Sequence, residues 1–270
     1  MNGKRILTIQ DLSCVGQCSL TVALPVLAHY GLEAAILPTA VLSNHTMFAE
    51  WSYLDMSSEI PRIFCNWRKN NIKFSGFLLG YLGKTQIMNL SRRAFAEFSE
   101  PGAPVIIDPA FGDNGKLYGG FDMQYVQDMR NLLKCANIIL PNLTEATFML
   151  GEEYKTQYDR KYIEDIAQKL HKFTGATVII TGVELDGLIG EIIYKDNGAQ
   201  YVLLEKVPKF SHGTGDIFSA AFTANYLNGL SLEKSCEIAG KLVADSLKAT
   251  AEGHDYGVQF EDVLYSHIQK

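Results

Sequence analysis

The 270-residue chain contains no run of about 18 uninterrupted apolar residues, so no segment reads as a membrane-spanning helix. The opening, Met1 to Gln10, is a polar start with a short apolar run, well below the length of a secretory leader, and the expected location is the cytoplasm. Cysteine is scarce. Cys14, Cys18, Cys65, Cys135 and Cys236 are odd in number and scattered, which disfavours a disulfide framework and suits reduced thiols. Cys14 and Cys18 lack a second Cys/His pair at ligand spacing, so a metal site built on them is not supported. A basic excess is also missing. The formal charge of -6, a pI near 5.5 and the absence of any Lys/Arg run or basic-aromatic stripe argue against nucleic acid as a partner.

Two nucleotide signatures are absent as well. Gly83-Lys84-Thr85 copies the tail of a Walker A loop, but Leu78 stands where that pattern requires glycine. No G-x-G-x-x-G follows the first apolar run, which disfavours a dinucleotide-binding Rossmann enzyme. The sequons Asn44-His45-Thr46 and Asn142-Leu143-Thr144 carry no weight without secretion. Without linkers, repeats or low-complexity tracts, one domain over residues 1–270 is expected.

What is present is a composition of 47% hydrophobic and 20% charged residues, enough for a substantial core. Strand-length apolar runs alternate with helical periods. Strands are expected at Arg5 to Ile9, Ala34 to Leu42 with a break at Pro38, Gly76 to Leu82, Val105 to Ile107, Asn137 to Leu140 and Thr177 to Ile180. Helices are expected at Ser19 to Tyr30, Ile60 to Lys69, Gln86 to Phe98, Met123 to Leu133, Thr144 to Leu150 and Ile163 to Phe173. That alternation predicts a mostly parallel sheet covered on both faces. Leu188 to Tyr194 and Gln200 to Leu204, separated by Lys195-Asp196-Asn197-Gly198, predict an antiparallel edge hairpin. Two helices, Asp216 to Leu227 and Leu232 to Ala251, follow. Ligands of such sheets sit at the carboxyl ends of the strands.

Three clusters occupy those ends. Ser211-His212-Gly213-Thr214-Gly215-Asp216 is a glycine-rich turn opening into a helix, where converging N–H groups and the helix dipole form an anion cradle. Asp216 reads either as a helix-start residue or as a base for a hydroxyl proton, with the amides around Gly213 and Gly215 stabilising a transferring phosphoryl group. Ile107-Asp108-Pro109 leads into Gly112-Asp113-Asn114-Gly115, and Pro141-Asn142 leads into Thr144-Glu145. Asp113 alone reads as a turn former and Glu145 alone as a first-turn helix carboxylate; with Asp216 they offer acids from three strand ends to a nucleotide's Mg²⁺.

Taken in order, Asp108-Pro109 with Gly112-Asp113, Pro141-Asn142 with Glu145, Thr181 and Gly213-Thr214-Gly215-Asp216 resemble the ribokinase superfamily. Ile9-Gln10, Ser43-Asn44-His45-Thr46 followed by Trp51, and Gly80-Tyr81 resemble its pyridoxal/pyridoxine/pyridoxamine kinases. The resemblance implies a ribokinase-like, doubly wound α/β three-layer sandwich, a homodimer, and ATP-dependent phosphorylation of the 5′-hydroxymethyl group of a vitamin B6 vitamer. It implies Mg²⁺ with ATP, and K⁺ as an optional assisting cation. Residue by residue, Asp216 resembles the catalytic base and Gly213 to Gly215 the anion hole. Asp113 and Glu145 resemble the Mg²⁺-side acids, and Asp108, Asn142, Thr181 and Thr214 the nucleotide contacts. Thr46 and Tyr81 resemble residues around the pyridine ring. Many of these kinases have Ser after the Ile-Gln pair; here Asp11 stands there, offering a carboxylate to the substrate's polar edge. Two alternatives stay open: a hydroxymethylpyrimidine kinase, whose branch typically has Cys in place of Asp216, and a non-catalytic B6-binding protein.

Overall fold

The computed structural model describes residues 3–196 and 198–268. Its elements run β1 (Arg5–Ser13), α1 (Leu20–His29), β2 (Glu33–Leu42), β3 (Tyr53–Asp55), α2 (Ile60–Lys69), β4 (Gly76–Leu79), α3 (Thr85–Phe98), β5 (Val105–Ile107), β6 (Gly112–Asp113) and β7 (Lys116–Leu117). There follow α4 (Met123–Leu132), β8 (Ile138–Ile139), α5 (Leu143–Leu150), α6 (Arg160–Thr174), β9 (Thr177–Leu185), β10 (Leu188–Lys195), β11 (Gly198–Glu205), α7 (Thr214–Leu227), α8 (Leu232–Ala249) and α9 (Glu261–Ile268).

Nine strands form one sheet in the order β11-β10-β9-β8-β5-β4-β1-β2-β3. The pairs from β2 to β9 are parallel, and both edges are antiparallel, through β10 and β11 on one side and β3 on the other. Alternation along the central strands creates two cores. Leu7, Ile9, Phe77, Leu79 and Ile107 point to the face covered by α2 to α6, where Phe64, Phe74 and Phe98 are fully buried. Ile6, Leu78 and Ile106 point to the face covered by α1, α7, α8 and α9. β1 lies between β2 and β4, where the strand order reverses and a crevice opens beyond the carboxyl ends. Among the described residues no helix is long and apolar enough to cross a membrane.

Several boundaries differ from the sequence expectation. β2 runs unbroken through Pro38, because that residue pairs with Gln10 where the β1–β2 register shifts, and the irregularity absorbs the missing donor. β4 stops at Leu79, which releases Tyr81 from the sheet. β9 continues to Leu185 under antiparallel pairing with β10, so Thr181 lies inside a strand rather than after one. The expected β10–β11 hairpin is present; Asn197 of its turn lies outside the described residues. The β6–β7 hairpin, β3 and α9 were not anticipated.

Candidate active site

The carboxyl ends of β1, β4, β5 and β8 deliver Asp11, Tyr81, Asp108 and Asn142, and α7 points its N-terminus at the same crevice. Asp11 is buried, and the Ser13 hydroxyl donates to its Oδ2 at 3.1 Å. Burial raises its carboxyl above the usual range, opposed by the hydroxyls of Ser19 and Ser13. Tyr81 is half-buried with its ring 5.3 Å from that of Phe121. Burial, then the charge of Asp11, pushes its phenol up to about 12, so Asp11 and Tyr81 border one space.

Asp216 lies in the first turn of α7, just beyond Gly213, which starts the helix in the left-handed region at φ 84°. Desolvation pushes the Asp216 carboxyl up to about 7, against a hydrogen bond from the Ser19 backbone and with a smaller upward push from Asp11. Asp108 approaches the same turn: its Oδ2 lies 4.0 Å from where a Cβ on Gly215 would stand. Burial first, then the charges of Glu145 and Asp216, raises Asp108 well above the usual carboxylate range, while the Ser219 hydroxyl and the Ala110 amide hold its charged form.

Glu145 joins two segments. Its Oε1 accepts the N–H of Phe111 at 2.9 Å and of Gly112 at 3.4 Å, and its Oε2 accepts the Asn142 N–H at 3.0 Å. Asn142 completes a capping box at the start of α5, accepting the Glu145 N–H and donating its amide to the Gly112 carbonyl at 2.7 Å. Burial pushes the Glu145 carboxyl up to about 8 despite these three amides, with Asp113 adding to the rise. Asp113 sits on the β6–β7 hairpin, whose Asn114-Gly115 turn has φ of 51° and 73°, and its carboxylate accepts from Asn114.

Five acids therefore share one electrostatic neighbourhood: Asp216 feels Asp11, Asp108 feels Glu145 and Asp216, and Glu145 feels Asp113. Of the other expected residues, Thr214 opens α7 beside Asp216, and Thr181 is tied to Asn142 by a β-bridge. Thr46 is exposed on the loop between β2 and β3, and no hydrogen bond among the described residues joins it to Asp11 or Asp216. Sequence reasoning did not place Ser19, Ser219 or Cys18 at this site; it weighed Cys18 only as half of a metal pair with Cys14. Burial raises the Cys18 thiol, and Asp216 and Asp11 raise it further, so it borders both acids. Only the place of Ser19 before a helix that ends beside the first strand could have signalled it.

The donor set suits Mg²⁺ only in company with phosphate oxygens. Both Glu145 oxygens are engaged by amides, Asp113 is partly exposed, and no group of three or more His, Cys, Asp or Glu among the described residues could hold a metal by itself. One or two carboxylates plus substrate phosphates and water is the usual Mg²⁺ arrangement.

Residues 29–259 match the phosphomethylpyrimidine kinase sequence family. Pyridoxal kinase of Lactobacillus plantarum superposes with a TM-score of 0.91 at 30% identity, over 98% of this chain and 97% of that one. A Bacteroides thetaiotaomicron protein classed with the phosphomethylpyrimidine kinases and solved with pyridoxal gives 0.92 at 34%, over 98% and 96%. Pyridoxal kinase of Dictyostelium discoideum is 26% identical over 233 residues, 80% of this chain and 76% of that protein. The shared architecture is the ribokinase-like sandwich. With near-complete coverage by a pyridoxal kinase at this identity and a family match over most of its length, the chain belongs to the pyridoxal kinases of the phosphomethylpyrimidine kinase family, phosphotransferases acting on an alcohol group.

Proposed function

We propose that the chain transfers the γ-phosphoryl group of ATP to the 5′-hydroxymethyl group of a vitamin B6 vitamer: pyridoxal, pyridoxine or pyridoxamine. The observation that carries this reading is the group of acids in which Asp216 interacts with both Asp11, read as serving the ring, and Asp108, read with Glu145 and Asp113 as serving the nucleotide. With its carboxyl near 7, Asp216 takes the hydroxyl proton as that oxygen bonds to the γ-phosphorus. The bond from γ-phosphorus to the bridging oxygen breaks, and ADP leaves with the electron pair. The N–H groups of Gly213, Thr214 and Gly215, at the start of α7, would stabilise the moving phosphoryl group.

Asp108, Asn142, Thr181 and Thr214 serve the nucleotide; Asp11, Thr46 and Tyr81 serve the ring. Asp113 and Glu145 would hold Mg²⁺ together with the nucleotide's phosphate oxygens. When bound with ATP, the ion neutralises phosphate charge. The enzyme acts as a cytoplasmic homodimer of single-domain subunits, with K⁺ as an optional assisting cation. A hydroxymethylpyrimidine kinase is the second reading, raised by the family's name; the carboxylate at Asp216 favours the B6 acceptor. Steady-state ATP turnover with and without pyridoxal tests the proposal: pyridoxal-dependent ADP release supports it, and ADP release that ignores pyridoxal removes it.

A further inference from the structure

His45 belongs to the loop between β2 and β3, yet it is 5% exposed while its neighbours Thr46 and Met47 are exposed. Both ring nitrogens are engaged. Nδ1 takes the Met47 N–H at 3.3 Å, and Nε2 faces the Asp255 carbonyl oxygen at 3.2 Å. A ring carrying its proton on Nε2 satisfies both partners.

The ring also governs the backbone beneath it. Gly16 passes so close that a Cβ there would overlap the imidazole, and its φ of 111° suits glycine alone. Gln17 follows, donating its N–H to the Tyr256 carbonyl at 2.6 Å, and its own carbonyl oxygen fills the space a Cβ on Gly213 would need. Two residues later the Ser19 backbone reaches Asp216 and its hydroxyl reaches Asp11. On the other side the His45 ring lies 5.8 Å from that of His212, the residue before Gly213.

We propose that His45 is a positioning residue, acting through Gly16 and Gln17 to seat Gly213 and to hold the Ser19 N–H against Asp216. The inference rests on the reading of Asp216 as the base. A hydrogen bond to a carboxylate favours its charged form, so its loss raises the pH at which the base becomes active. A side chain that merely filled space would change stability without moving that pH.

The test compares His45→Ala, which removes the ring, with His45→Gln, which keeps a donor for the Asp255 carbonyl. Three quantities are read: the acid limb of the kcat/KM–pH profile, the thermal midpoint, and hydrogen exchange at the Gln17 amide. In His45→Ala the acid limb should move to higher pH, kcat should fall about 10- to 100-fold as expected for a displaced reacting group, and the Gln17 amide should exchange faster. His45→Gln should recover most of both changes. An unmoved limb with near-normal kcat overturns the proposal, whatever happens to the midpoint, and so does unchanged Gln17 exchange. If His45→Ala does not fold, His45→Phe keeps the ring and loses both polar contacts; the same shift is then required of it. If the unaltered protein turns over no ATP with any vitamer, the kinase reading fails, while Gln17 exchange still decides whether His45 holds the loop.

Discussion

The Ser13 hydroxyl donates to the Asp11 carboxylate at 3.1 Å, fixing a buried acid where it borders both Tyr81 and Asp216. If this carboxylate faces the ring, a charge-assisted hydrogen bond donated to it by a ring N–H or an amine is worth about 1.5–3 kcal/mol and would favour pyridoxamine. Asp11→Ser should shift relative kcat/KM from pyridoxamine towards pyridoxal by about 10-fold or more, with ATP kinetics little changed. If Asp11 serves only the turn around Ser13 and Ser19, all vitamers will scale together and the ratio of specificity constants will stay put.

The titration of Asp216 sets a pH dependence. Burial lifts its carboxyl to about 7, and only the deprotonated form accepts a proton, so kcat/KM should rise through pH 7 and level off above it. Asp216→Asn should lose about 10²–10⁴ in kcat and keep nucleotide affinity. Near-normal turnover in this variant would remove Asp216 as the base.

Glu145 and Asp113 should separate by stability. Glu145→Ala strands the N–H groups of Phe111, Gly112 and Asn142, at about 1–3 kcal/mol for each that stays buried without a partner. It should lower the thermal midpoint and raise the Mg²⁺ concentration giving half-maximal rate. Asp113→Ala, on an exposed hairpin, should change the Mg²⁺ titration with little loss of stability. An unaltered Mg²⁺ requirement in both variants would take them out of the site.

Glu191 is buried on β10 beneath α8, beside Cys236 and 3.8 Å from where a Cβ on Gly240 would stand. Its Oε2 has no hydrogen-bond partner among the described residues, and burial pushes its carboxyl up to about 8. A raised folded-state pKa means that the folded protein binds the extra proton. Its contribution is complete below the unfolded pKa near 4.5 and is lost as pH rises through about 8. Chemical denaturation from pH 5 to 9 should show stability falling with pH, and Glu191→Gln should flatten that slope. Equal slopes in the two proteins would show that Glu191 does not titrate in the fold.

Elements with strong local signals were legible to the residue: Ile60–Lys69 as a helix with proline in its first turn, and Val105–Ile107 as a buried apolar run. Short or edge elements were not. β3 is three residues that pair only with β2, and β6 and β7 are two residues each, although Asn114-Gly115 is a strong hairpin dipeptide. Thr181 was placed after its strand because pairing with β10, which extends β9, is a tertiary choice. The acids could be listed from the sequence because strand ends are visible in it. Their order in space, and the contact between the Ser19 backbone and Asp216, depend on a loop held by distant segments, which residue type does not encode.

Transfer of the ATP γ-phosphoryl group to a B6 hydroxymethyl group can be read out by phosphorylating pyridoxal, pyridoxine, pyridoxamine and hydroxymethylpyrimidine side by side, with products identified by mass spectrometry. The expected products are 5′-phosphates of the B6 vitamers, with kcat/KM above that for hydroxymethylpyrimidine. Efficient phosphorylation of hydroxymethylpyrimidine with none of the B6 vitamers, or of no acceptor at all, would contradict it.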